Sequence, residues 1–231
     1  GVYMNNIIAH RGVFNNKDIP ENSILAFKRA LQLNYPIELD VQLTKDNYLV
    51  VFHDSDLYRM TGVHGIIQDM DYKDIKKLRL LDTKEVIPLF SEVLKLVNGK
   101  VLLDIEIKPT KRIIDTCNNT MKFLSNYNNY DLKSFDPRIV RYLKKNYPTC
   151  IVGLLIDYHY PSRINNYLLK SRFIFLYSKC DFIAISKKLL KKRRFRNMYK
   201  KRTTMIWTIQ NKKEIKNDFY IYICNNLPYE S

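Results

Sequence analysis

The chain has 231 residues, 46% of them hydrophobic, which is enough for one large domain with a real core. No apolar run reaches the roughly 18 residues of a membrane span, and the opening GVYMNNIIAHRG has neither a basic region nor a long apolar stretch, so neither a membrane-spanning segment nor a signal peptide is expected. A formal charge of +16 favours anionic partners, whether nucleic acid, acidic membrane or phosphorylated metabolites, and does not choose among them.

IIAHR (7–11) reads as a strand. In ENSILAFKRALQLN (21–34), Ile24, Leu25, Phe27, Ala30, Leu31 and Leu33 form a helical stripe, with Asn22 or Ser23 as its cap. PIELDVQL (36–43) alternates and YLVVFHD (48–54) follows a KDN turn, a pattern that predicts an extended hairpin. Residues 55–87 are polar and less regular. IPLFSEVLKLVNGK (87–100) predicts a helix that stops at Asn98-Gly99. KVLLDIEIK (100–108), IVGLLID (151–157), CDFIAIS (180–186), TTMIWTI (203–209) and FYIYIC (219–224) are strands, and Ser134-Phe135 ends a weak one behind the polar NYNNYDLK. The basic run KKLLKKRRFRNMYKKR (187–202) predicts a helix with Leu189, Leu190 and Met198 turned inward. Its charged face is either simply solvated or a weak docking surface for anionic lipid.

This alternation, about eight strand–helix units, predicts an α/β fold: a closed (β/α)8 TIM barrel in a single domain over 1–231. An open doubly wound sheet is the alternative, but the six glycines form no phosphate-binding loop. Cys117, Cys150, Cys180 and Cys224 have no zinc or redox spacing; reduced, buried thiols and a cytoplasmic location are expected.

Glu38 and Asp40 stand two apart on one strand, so both project from one face, with Leu39 and Val41 opposite. Asp104, Glu106 and Lys108 repeat the arrangement. His10 and His53 close two further strands. Strand ends converge on one rim of a parallel barrel, and carboxylates crowded there cannot all ionise without a cation. An all-oxygen donor set suits Mg²⁺ or Ca²⁺, and Arg11 and Lys108 add fixed positive charge. Such a site suits a phosphate ester.

AHRG (9–12), PENS (20–23), IELDVQLTKDNYLVVFHD (37–54), L-x-R-x-TG (57–62), IPLFSEVL (87–94), LDIEIK (103–108), SF (134–135) and WTI (207–209) together resemble the glycerophosphodiester phosphodiesterase family. The resemblance is dense over 7–108 and thinner beyond. It implies a TIM barrel with a small insertion at about 55–86, His10 and His53 as acid/base pair, and Glu38, Asp40 and Glu106 as ligands of one divalent metal, Ca²⁺ or Mg²⁺. It further implies phosphate contacts from Arg11 and Lys108, a pocket wall from Trp207, and Glu21 and Asn22 holding the loop that positions His10. Asp54 either orients His53 or caps its strand. The expected activity is hydrolysis of a small glycerophosphodiester to sn-glycerol 3-phosphate and an alcohol, with a lysophospholipase D acting on lipid as runner-up. A non-catalytic nucleic-acid- or membrane-binding protein is the rival from another class; no nucleic-acid-binding motif accompanies the charge. The sequence departs from the family at its end, where FYIYICNNLPYES lacks the usual glycine-rich turn and Asn225 or Asn226 replaces an Asp.

Overall fold

A computed structural model describes residues 6–157, 173–193, 196–197, 204–215 and 221–225. Eight parallel strands close on themselves: β1 (Ile7–Ala9), β2 (Ile37–Leu43), β4 (Leu103–Ile107), β5 (Tyr130–Ser134), β6 (Val152–Ile156), β7 (Phe182–Ser186), β8 (Thr204–Ile209) and β9 (Ile221–Cys224). Pairing of β1 with both β9 and β2 seals the barrel. The predicted hairpin is present, with β3 (Leu49–Val51) antiparallel to β2 through Val41↔Val51 and Leu43↔Leu49. Its second strand ends earlier than the sequence suggests, so His53 sits in the loop beyond it.

Two periodicities build this architecture. Leu39, Val41, Ile105, Leu132, Leu154 and Ile183 point outward and are buried against helix residues such as Phe27, Phe90, Met121 and Leu143. The inward residues divide by sector. Ile8, Leu155, Phe182, Ala184, Met205, Ile221 and Ile223 make one side of the interior apolar. The side formed by β2, β4 and β5 carries Glu38, Asp40, Asp104, Glu106, Asp131 and Lys133, all buried. A barrel this size is filled by side chains rather than water, which is why Gly153 is required opposite Phe182. A Cβ at Gly153 would lie 2.2 Å from the Phe182 ring.

The weak strand before Ser134 is a full member of the barrel, β5, with Asp131, Leu132, Lys133 and Ser134 buried. Its polar appearance arises because its inward face is charged and paired. Helix α1 (Ile24–Gln32) is capped by Ser23, whose hydroxyl accepts from the Ala26 amide at 3.1 Å. The predicted helix at 87–100 is Phe90–Val97, ending at Asn98 in the left-handed conformation. Residues 55–87 pack a small core of their own, with Leu57, Met60, Ile67, Ile75, Leu80 and Ile87 buried against Val50 and Phe52. The described part of the basic run opens with a short helix, Lys187–Leu190, with Leu189 buried and Leu190 packed on the core. The predicted inward position of Met198 lies outside the described residues. All four cysteines are buried, and none of them is in a disulfide.

Candidate active site

Lateral register brings the charges together. Glu38 pairs across the sheet with Asp104 and Asp40 with Glu106, so carboxylates of β2 and β4 are neighbours. Oxygens of Glu38, Asp40 and Glu106 all lie within 4.8 Å of one another, and all three residues are buried. Lys108, just past β4, sits 3.3 Å from Asp40 Oδ1 and 2.7 Å from Glu106 Oε1. Arg11 Nε lies 3.6 Å from Asp40 Oδ2, while the Arg11 backbone amide donates to Glu38 Oε2 at 3.1 Å. Asn22 donates to Asp40 Oδ2 at 2.9 Å.

The loop after β1 is shaped for these contacts. Arg11 and Gly12 both have positive φ, +55° and +81°. A Cβ on Gly12 would also meet Ala26 at 2.9 Å, so glycine is the residue that fits between this loop and α1. Glu21 then ties the loop down. It accepts from Arg11 Nη1 at 2.6 Å, Arg59 Nη2 at 2.6 Å and Asn16 Nδ2 at 2.8 Å.

His10 and His53 line one cavity of about 200 Å³ together with Arg11, Glu38, Glu106 and Trp207. His10 Nε2 is 3.8 Å from Glu38 Oε2, and its Nδ1 is 2.5 Å from Asn225 Oδ1. His53 Nδ1 is 2.6 Å from Asp54 Oδ1, and Arg59 Nε donates to the other Asp54 oxygen at 2.5 Å. Of the two roles open to Asp54, this is the orienting contact. Trp207 stands edge-on to Phe135, ring centres 5.5 Å apart, and its indole N–H donates to the Ala184 carbonyl at 3.1 Å.

Burial works against ionisation throughout the cluster, and neighbouring charges decide each outcome. Burial lowers the His10 pKa, with Glu38 pulling the other way, so its imidazole is neutral near pH 7. For Asp40, burial is outweighed by Lys108, His53 and Arg11, and the carboxyl is held well below the usual range. Glu106 goes the other way: burial raises its pKa, and the like charges of Asp40 and Glu38 add to that against Lys108. Glu106 Oε1 is buried against the Lys108 ammonium, 2.7 Å away. Crowded, buried and all-oxygen, Glu38, Asp40 and Glu106 fit a hard divalent cation.

Four residues were missed as site members in the sequence. Lys133 contacts Asp104 and lies 3.2 Å from Glu38 Oε1. Burial opposes its charge, but Asp104 and Glu38 prevail and keep the pKa above that of an ordinary lysine. Asp131 hydrogen-bonds to Asp104. Arg59 links Glu21 to Asp54, and Asn225 reaches His10 from the divergent end of the chain. Asn226 lies outside the described residues. Asp131 and Lys133 did leave a signal, since DLK repeats the charged–apolar–charged spacing of Glu38 to Asp40.

The family model described as the glycerophosphoryl diester phosphodiesterase family matches residues 10–222. The chain belongs to this family. A glycerophosphodiester phosphodiesterase of Caldanaerobacter subterraneus subsp. tengcongensis is 39% identical over 161 residues, 64% of this chain and 65% of that protein. One from Bacillus altitudinis is 42% identical over 114 residues, 46% of each chain. The chain thus matches less than two thirds of the length of these curated relatives. The fold extends further. A family member from Parabacteroides distasonis superposes with a TM-score of 0.76 at 24% identity, covering 96% of this chain and 92% of that one. A phosphodiesterase of Oleispira antarctica, solved in complex with the product sn-glycerol 3-phosphate, has a TM-score of 0.76 at 20% identity, covering 96% and 93%. Both are the same closed barrel with helices outside.

Proposed function

We propose that this chain hydrolyses glycerophosphodiesters to sn-glycerol 3-phosphate and an alcohol, with a divalent metal held by Glu38, Asp40 and Glu106 and with His10 and His53 as the acid/base pair. One observation carries the reading: both histidines open onto the same cavity as Glu38, Glu106 and Arg11. Membership of the family supports the reaction class, and the product complex of the Oleispira antarctica phosphodiesterase supports a glycerol phosphate product. Mg²⁺ and Ca²⁺ both suit three carboxylates; either, when bound, offers Lewis-acid stabilisation to the phosphoryl oxygens.

The protein's own groups do the rest. Arg11 and Lys108 bring fixed positive charge against the phosphodiester and offset charge developing in the transition state. His10, neutral near pH 7, is suited to accept a proton from the attacking hydroxyl, either of water or of the neighbouring glycerol 2-position. His53, oriented by Asp54, is suited to deliver one to the leaving alcohol. Trp207 and Phe135 line the same cavity with apolar ring surface and help exclude water.

No helix among the described residues is long and apolar enough to cross a membrane. Four buried cysteines outside any disulfide support a reducing, cytoplasmic setting. A lysophospholipase D reading is favoured by one feature: the insertion exposes Tyr58, Val63 and Ile66. Turnover of glycerophosphocholine and of lysophosphatidylcholine, each with and without EDTA, separates the readings. Chelator-sensitive release of choline from the small substrate is expected. Turnover confined to the lipid would select the second reading, and no turnover of either diester would reject both.

A further inference from the structure

Beneath the proposed metal ligands lies a charged floor that the reaction above leaves unused. Lys133 is 1% exposed, and a bare ammonium in a barrel interior is costly unless paired. Its partner is Asp104, 0% exposed, on the adjacent strand. The same Lys133 Nζ reaches Glu38 Oε1 at 3.2 Å. The other oxygen of Glu38 accepts from the Arg11 amide at 3.1 Å. One carboxylate is therefore gripped at each oxygen by a different element, β5 from within the barrel and the loop after β1 at the rim. Lys133 and Asp104 cancel in charge, so as a pair they contribute placement more than field.

We propose that Lys133, anchored by Asp104, is a positioning residue that fixes the Glu38 carboxylate in its metal-binding orientation before the cation arrives. The inference rests on the metal reading given above. A glutamate free to rotate loses torsional entropy on coordination, and a preset glutamate does not. Partners of this kind typically account for about 10–100-fold in metal affinity.

Isothermal titration with MgCl₂ and CaCl₂ tests the proposal on the native protein and on Asp104→Asn/Lys133→Met, which removes the pair with no change in net charge. The folded double variant should bind the metal about 10–100-fold more weakly, with a matching loss of the metal-induced rise in Tm. Asp104→Asn alone gives a second, independent reading. It keeps the lysine but removes its anchor and leaves an uncancelled positive charge beside the ligands, so affinity should again fall. Either folded variant binding within about twofold of native would overturn the positioning role. A native protein that binds neither ion would instead overturn the metal reading itself, and this inference with it.

Discussion

Glu21 is the residue whose energetic contribution is best defined. It is 5% exposed and receives Arg11, Arg59 and Asn16 at 2.6, 2.6 and 2.8 Å. Burial pushes its pKa up, yet the hydrogen bond from Arg59 and the charge of Arg11 outweigh burial and bring it from the ordinary 4.5 down to about 2. At about 1.4 kcal/mol per pKa unit, that difference corresponds to about 3 kcal/mol of folding stability at neutral pH. Because folding depresses the pKa, this contribution is complete above pH 4.5 and disappears as pH falls through about 2. Glu21→Gln resembles the protonated side chain in shape and should lower stability by about 3 kcal/mol at pH 7. Urea denaturation of parent and variant, followed by circular dichroism from pH 7 to pH 3, measures the gap. By pH 3 it should shrink to less than half, about 1.4 kcal/mol, because the unfolded parent protonates below its ordinary pKa while the folded one stays ionised. A gap that stays constant over this range, or one below about 0.5 kcal/mol at pH 7, would show that the arginine pairs do not hold the loop as argued.

The two histidines should behave as a unit. His10→Ala and His53→Ala should each lower kcat/KM by about 10²–10⁴, with the double variant little worse than the poorer single, and metal affinity by titration should survive His53→Ala. Since burial lowers the His10 pKa, its folded form stays neutral below the ordinary 6.5; stability from this group is complete above pH 6.5 and is lost as pH falls, and the acid limb of kcat/KM should lie below 6.5. An acid limb above that value, in a pH–rate profile of the free enzyme, would contradict His10 as the base. Glu38→Gln is isosteric and should leave the far-UV spectrum unchanged while removing most calorimetric metal binding and most turnover.

Much of the site was legible because a strand's side chains alternate with strict period two. Glu38 with Asp40, and Asp104 with Glu106, declare a shared face with no knowledge of the fold. The hairpin, the Ser23 cap and the stop at Asn98-Gly99 were legible for similar local reasons: each depends on neighbours a few residues away. β5 was legible only as a weak strand, because its pattern lacks the apolar inward residues by which a buried strand is normally read. Asp131 and Lys133 make sense there only once Asp104 stands beside them.

The sequence by itself determined the strand–helix order, the outward apolar stripes and the faces on which the carboxylates lie, since these follow from backbone periodicity and burial of apolar surface. Tertiary structure alone decided which charges meet. Lys133 reaches Glu38 across 95 positions of chain, Arg59 reaches Glu21 across 38, and Asn225 reaches His10 across 215. Such distances close only when the barrel does, through β1 pairing with β9 and β2. Ion pairs and hydrogen bonds act over a few ångströms and carry no trace in local periodicity, so the balance of charge that sets each group's protonation belongs to the folded barrel.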